Sequence, residues 1–262
     1  NFFMAKVWFV GAGPGDPELL TLKAQRLISE ADAILYAGSL VSEAAMTWAS
    51  ESCKIQDSKG MTLEQICDWL ISKAKDNATV LRLQTGDPGL YGALIEMIQP
   101  LDKAGIEVAV VPGVTSAMAS AAAAAETLTL PEVTQTVIFS RVEGRTPMPE
   151  GESLDELAAH HCTLCLYLSI TLLKKIQTSL IAAGWSDQSP ILVVYKASWP
   201  GEEQIIRGTI ENIRDKCKQA GINSQAMIIA SPTIGSRNWP ELKKSKLYDA
   251  SFTHRFRKAD KS

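Results

Sequence analysis

Three glycine- and proline-rich stretches carry residue types that could meet a small ligand: Gly11–Asp16 (GAGPGD), Gly86–Gly92 (GDPGLYG) and Pro112–Ser116 (PGVTS). Glycine lets a ligand approach the backbone closely. Asp87 places a carboxylate inside a glycine turn, either as a loop cap or as a ligand contact. Thr115 and Ser116 offer hydroxyl and N–H groups where a helix is expected to start, suited to a carboxylate or a ribose oxygen. GAGPGD after a strand invites comparison with the dinucleotide fingerprint G-x-G-x-x-G. The fit is poor: Asp16 stands at the third glycine, and Pro14 removes an N–H from any phosphate cradle. The acid that should meet a ribose hydroxyl about 20 residues on is missing from Leu35-Tyr36-Ala37-Gly38. No Walker-type, H-E-x-x-H or G-x-S-x-G motif occurs. Cys162-Thr163-Leu164-Cys165, after His160-His161, has the spacing of half a zinc site or of a redox pair. The other half is absent and the pair runs into an apolar strand, so ordinary packing and no metal are expected.

These stretches need elements to position them. Val7–Val10 reads as a strand, and Asp16-Pro17-Glu18 opens a helix that continues through Leu19, Leu22, Leu27 and Ile28. Strands follow at Ala33–Tyr36, Thr79–Leu83 and Glu107–Val111. Helices follow from the capping box Thr62–Gln65, from after Gly89 to about Lys103, and over Ser116–Ala125. Strands alternating with helices imply a largely parallel sheet covered on both faces. In such sheets ligands bind beyond the carboxyl ends of the strands, and all three turns fall at that edge. The second half reads as strands at Thr136–Ser140, Thr163–Ser169, Ile191–Ala197, Gln204–Arg207 and Ala226–Ala230, with helices at Leu172–Ala183 and Ile210–Ala220. Trp199-Pro200-Gly201 marks a hairpin, so this half is α/β with some antiparallel pairing. Gly144–Ser153 reads as a mobile loop. The boundary between halves is placed near Thr127–Val133.

The chain has 262 residues, 46% hydrophobic and 21% charged, with 26 Lys and Arg against 29 Asp and Glu. That excludes a disordered chain and argues against a nucleic-acid binder. No apolar run of about 18 residues exists, so no membrane span is expected. Asn1–Phe3 read as a cloning remnant before a native start at Met4, with no signal peptide. Five scattered cysteines fit a reducing, cytoplasmic setting.

Taken in order, VGAGPGDPELLTLKA, Thr85-Gly86-Asp87-Pro88, Pro112-Gly113-Val114-Thr115-Ser116-Ala117, Leu166-Tyr167-Leu168-Ser169 and Val194-Tyr195-Lys196-Ala197-Ser198-Trp199-Pro200 resemble the tetrapyrrole methylases. That family transfers methyl groups from S-adenosylmethionine (SAM). The resemblance runs from Val7 to Pro232 and implies the class III methyltransferase fold: two α/β domains with a SAM-binding cleft between them, usually in a homodimer. The domains are expected at 1–128 (substrate trough and part of the SAM site) and 129–262 (the rest of the SAM site). The second ends in a basic tail at Lys243, Lys244 and Lys246. Carried over by position, the SAM contacts are Pro14, Thr85, Gly86, Asp87, Leu90, Thr115, Ser116, Leu168 and Ala197.

Leu35–Val41, Val142–Pro149 and Phe252-Thr253-His254 resemble the branch of the family that methylates precorrin-4 at C11 in cobalamin synthesis. The resemblance leaves open whether the substrate carries cobalt. Siroheme-pathway relatives usually carry Asp where Ala37 stands, so no catalytic base is assigned. The acceptor would be an anionic tetrapyrrole. Arg82, Arg141, Arg145 and Lys196 are candidate partners for its carboxylates, Arg141 and Arg145 foremost. The alternatives are methylation of another precorrin position or of uroporphyrinogen III, an NAD-type dehydrogenase, and a ligand-binding module without catalysis.

Overall fold

A computed structural model of the chain describes residues 6–76, 79–242, 253 and 257–258. Asn1–Phe3, Met4, Lys243, Lys244, Lys246, Phe252 and His254, all named above, lie outside the described residues. The chain forms two compact units. One comprises residues 1–119 with 196–203, and the other 120–195 with 204–262.

In the first unit, β1 (Lys6–Gly11), β2 (Ala33–Tyr36), β3 (Lys54–Asp57), β4 (Thr79–Gln84) and β5 (Glu107–Val111) form one sheet in the order β3-β2-β4-β1-β5. Every pairing is parallel. Helices α1 (Leu22–Glu30) and α2 (Glu43–Met46) accompany one face, where Val10, Ile34, Leu81 and Leu83 pack with Leu27 and Ile28. Helices α3 (Leu63–Asp76) and α4 (Leu94–Lys103) accompany the other, where Val7, Phe9, Leu35 and Val80 pack with Leu70, Met97 and Leu101. Cover on both faces is why these strands read as continuous apolar runs. The capping box forms as expected: Thr62 Oγ1 accepts from Gln65 N–H at 3.2 Å, and Gln65 Oε1 accepts from Thr62 N–H at 2.9 Å.

One expected helix is corrected. Pro17–Leu19 is only a 3-10 turn, closed by the Asp16 carboxylate accepting from Glu18 N–H. Leu20 is extended, and α1 begins afresh under the Thr21 cap, whose Oγ1 accepts from Ala24 N–H at 3.0 Å. A second N-cap thus overrides the first. Strand β3, with Ile55 its single apolar residue, gave no signal in the sequence because it is an exposed edge.

α5 (Ser116–Ala123) leads into the second unit. There β6 (Val137–Arg141), β7 (Thr163–Tyr167), β8 (Pro190–Tyr195), β9 (Gln204–Thr209) and β10 (Ala226–Ala230) order as β6-β7-β10-β8-β9. β6 and β7 are parallel and the other pairings antiparallel, including the expected β8–β9 hairpin. Helices α6 (Leu154–Ala158), α7 (Leu173–Ala182) and α8 (Ile213–Gln219) complete the unit. Its core gathers Leu164, Leu166, Ile176, Leu180, Val193 and Ile228. β7 stops at Tyr167, two residues earlier than expected, because Leu168 turns left-handed with φ 55°.

The five cysteines are free, and burial pushes the Cys165 thiol up to about 12. Among the described residues no group of three His, Cys, Asp or Glu could hold a metal ion, and no helix is long and apolar enough to cross a membrane. A buried hydroxyl chain closes the second unit's sheet. Thr163 Oγ1 donates to Leu128 O at 2.7 Å and lies 2.6 Å from Ser231 Oγ. Ser231 in turn meets Thr233 at 2.8 Å, and Thr233 donates to Thr127 O at 2.7 Å. Thr163→Val keeps the shape but strands the Leu128 carbonyl, and is expected to cost about 1–3 kcal/mol in urea unfolding.

Candidate active site

β4, β1 and β5 lie side by side and run in parallel, so the three turns after them leave one edge of the sheet together. There they cross closely. A Cβ at Gly113 would stand 2.2 Å from the Gly86 carbonyl oxygen, and one at Gly11 would stand 2.7 Å from Gly113 Cα. Only glycine permits that approach. Hydrogen bonds fasten it: Gly86 N–H donates to Gly13 O at 2.7 Å, Gly13 N–H to Gly86 O at 3.2 Å, and Ala12 N–H to Gln84 O at 2.7 Å.

Asp87, left open in the sequence between cap and ligand contact, caps its own turn and ties it to the next. Its Oδ1 accepts from Gly89 N–H at 2.8 Å and its Oδ2 from Gly113 N–H at 2.9 Å. Gly86 takes φ 62°, the left-handed backbone that favours glycine, beside Thr115. Thr115 O starts α5 by accepting from Met118 and Ala119 N–H. Beyond Gly89, Tyr91 and Ala93 are also left-handed, at φ 54° and 51°. Such strain in side-chain-bearing residues gathers at functional sites.

Of the expected SAM contacts, Pro14, Thr85, Gly86, Asp87, Leu90, Thr115 and Ser116 all belong to this edge of the first unit. Ala197 belongs to the same unit, on the tip of the β8–β9 hairpin, where Ser198 Oγ accepts from Asp16 N–H at 3.0 Å. Leu168 belongs to the second unit. It is 73% exposed, an apolar side chain on a left-handed residue at the end of β7.

The cations divide by environment. Arg82 is buried on β4, on the face that α3 and α4 accompany, and donates to Ser58 Oγ at 2.8 Å. Its Nε has no partner, and burial lowers its guanidinium to about 10 against the pull of Asp57. Lys196 pairs with Glu202 at 2.8 Å. Arg141, at the end of β6, donates to Thr146 O at 3.3 Å and to Pro147 O at 2.8 Å, so its guanidinium holds the loop that follows. That loop is tied at further points: Met148 N–H to Glu143 Oε1, Lys175 Nζ to Glu143 O, and Val142 N–H to Ser169 Oγ. Arg145 is exposed on the loop.

The turns Gly11–Asp16, Thr85–Gly92 and Pro112–Ser116 contain no Lys or Arg, and Pro14 contributes no N–H. A pyrophosphate finds no answering charge there. A ligand with hydroxyl, amine and cationic groups fits hydroxyls and carbonyls. Sequence reasoning missed the bracing by Ser198 and Trp199, because a contact across 182 positions has no local signature.

A family model described as Tetrapyrrole (Corrin/Porphyrin) Methylases matches residues 6–214. The chain is 45% identical over 257 residues to the cobalt-precorrin-4 C(11)-methyltransferase of Priestia megaterium, covering 98% of this chain and 99% of that protein. It is 41% identical over 251 residues to the precorrin-4 C(11)-methyltransferase of Pseudomonas aeruginosa, covering 96% and 98%. Among solved structures, a cobalt precorrin-4 methyltransferase of cobalamin biosynthesis matches with TM-score 0.84 and 45% identity, over 86% of this chain and 94% of that one. A uroporphyrin-III C-methyltransferase from Thermus thermophilus complexed with S-adenosylhomocysteine matches with TM-score 0.73 and 31% identity, over 88% and 99%.

Gly113→Ala is expected to destabilise the protein by about 3 kcal/mol, since the obstacle is backbone. Gly60→Ala, left-handed at φ 82° with open space around it, is expected to cost about 1 kcal/mol. Urea unfolding of the two variants checks the difference.

Proposed function

The chain belongs to the tetrapyrrole methylases, and on that premise we propose that it transfers the methyl group of SAM to carbon 11 of precorrin-4 or cobalt-precorrin-4 in corrin-ring assembly. The observation that carries this reading is 45% identity, across nearly all of both chains, to a relative named for that reaction. The two relatives at 45% both carry the cobalt form in their names, which makes the cobalt-bearing substrate the first to assay.

On this reading Pro14, the Thr85–Asp87 turn, Leu90, Thr115, Ser116 and Ala197 of the first unit hold SAM. When bound, SAM supplies an activated methyl electrophile from its sulfonium. Gly86 supplies the left-handed bend of its turn beside Thr115. Asp87 acts by shape: both carboxylate oxygens accept backbone N–H groups, so it fixes two turns at once. Thr115 and Ser116 present hydroxyls at the start of α5, and Leu90 presents apolar surface. Arg145 meets a substrate carboxylate, while Arg141 holds the loop that carries it. Lys196 is counted on the substrate side through its position beside Ala197. No residue is assigned as proton acceptor.

The enzyme is read as a cytoplasmic homodimer. The free thiols agree with a reducing compartment and the family resemblance with the dimer. The acidic balance of the chain and its lack of apolar runs leave nucleic acid and membrane out of the reading.

The purified protein is expected to add one methyl group, from SAM, to cobalt-precorrin-4 or precorrin-4. Mass spectrometry and carbon NMR of the product locate it, and methylation at another carbon overturns the assignment. Asp87→Ala is expected to weaken SAM binding about tenfold or more in calorimetry, because hydrogen bonds to a charged group contribute about 1.5–3 kcal/mol each. Unchanged affinity in the folded variant removes Asp87 from the site.

A further inference from the structure

The tip of the β8–β9 hairpin is more elaborately built than a simple strand connection. Its residues 196–203 belong to the first unit, although both flanking strands belong to the second. Lys196 and Ser198, neither of them glycine, take left-handed φ values of 45° and 71° on either side of Ala197. Strain of that kind persists only where the surroundings enforce it. Here the enforcement comes from two acids and one carbonyl. Glu203 Oε2 accepts from Ser198 N–H at 2.6 Å, and Glu202 pairs with Lys196 at 2.8 Å. The Trp199 carbonyl accepts from the N–H groups of Glu202 and Glu203 at 3.2 and 3.3 Å. The Lys196 ammonium also lies 5.6 Å from the Trp199 ring centroid.

What the tip holds is the first glycine turn. Trp199 lies so close to Gly15 that a Cβ there would stand 2.3 Å from indole Cδ1 and 2.4 Å from Nε1. One position on, Asp16 N–H donates to Ser198 Oγ at 3.0 Å. Gly15 is therefore glycine because an indole occupies the space a side chain would need.

We propose that Ser198 and Trp199 are positioning residues of the SAM site. They fix the Gly13–Asp16 turn, and Pro14 with it, and set the backbone around Ala197 without touching the ligand. The proposal rests on the SAM reading above. It assigns the strain at Lys196 and Ser198 to preorganisation of the ligand site.

The test titrates S-adenosylhomocysteine, the unreactive product, into wild type, Trp199→Ala, Trp199→Phe and Ser198→Ala, by calorimetry and by tryptophan emission. Trp199→Ala is expected to weaken binding about tenfold or more, since small displacements of a positioning shell are costly. Trp199→Phe, which keeps an aromatic ring on Gly15, is expected to restore affinity to within about threefold of wild type, and Ser198→Ala to fall between the two. The ligand is expected to change wild-type emission, and Trp199→Phe to lose that change. Wild-type affinity in Trp199→Ala overturns the proposal. If Trp199→Ala does not fold, unchanged affinity in Ser198→Ala with a persisting emission change in Trp199→Phe overturns it. A wild-type protein that binds no S-adenosylhomocysteine removes the SAM reading and the proposal together, whereas wild-type binding with indifferent variants removes the proposal alone.

Discussion

The close passage of backbone at Gly11, Gly86 and Gly113 is the constraint on which the first unit's site depends. Three strand ends are drawn nearer than any Cβ allows, and the Gly13–Gly86 bridge and the Asp87 carboxylate hold them there. The turns then present carbonyls, N–H groups and hydroxyls from a rigid frame. Rigidity at such a site matters because binding groups that are already in place lose little freedom when a ligand arrives. The cost appears as left-handed backbone at Tyr91, Ala93, Lys196 and Ser198.

Charge is arranged to the same end. The turns hold no cation, while three of the four cations named as carboxylate partners are engaged locally. Arg82 is buried against Ser58, Lys196 is neutralised by Glu202, and Arg141 is engaged by two loop carbonyls. Arg145 stands exposed on a loop that Arg141 keeps in shape. On the proposed reading, turns without a cation suit a positively charged methyl donor.

Much of this was legible in the sequence where the signal was local. The Thr62–Gln65 box, the apolar runs of β1, β2, β4 and β10, and the turn at Trp199-Pro200-Gly201 each follow from a few adjacent residues. The convergence of three turns was legible because parallel strands send their carboxyl ends to one edge. Competing local signals misled at Pro17, where Thr21 supplies a second cap, and at Leu168, where a left-handed residue ends an apolar strand early. Edge strand β3 was invisible because one face-up isoleucine makes no pattern. The roles of Arg141 and Trp199, and the tie from Asp87 to Gly113, depend on partners from five to 184 positions away, and no periodicity encodes them.

The return of residues 196–203 to the first unit has a bearing on how the protein is made. A ribosome delivers the GAGPGD turn long before the indole that covers Gly15. The first lobe can assemble its sheet early, yet its rim at Gly15 stays unfinished until its own residues 196–203 have been made. The first lobe cannot be excised as one continuous stretch of gene with that rim intact.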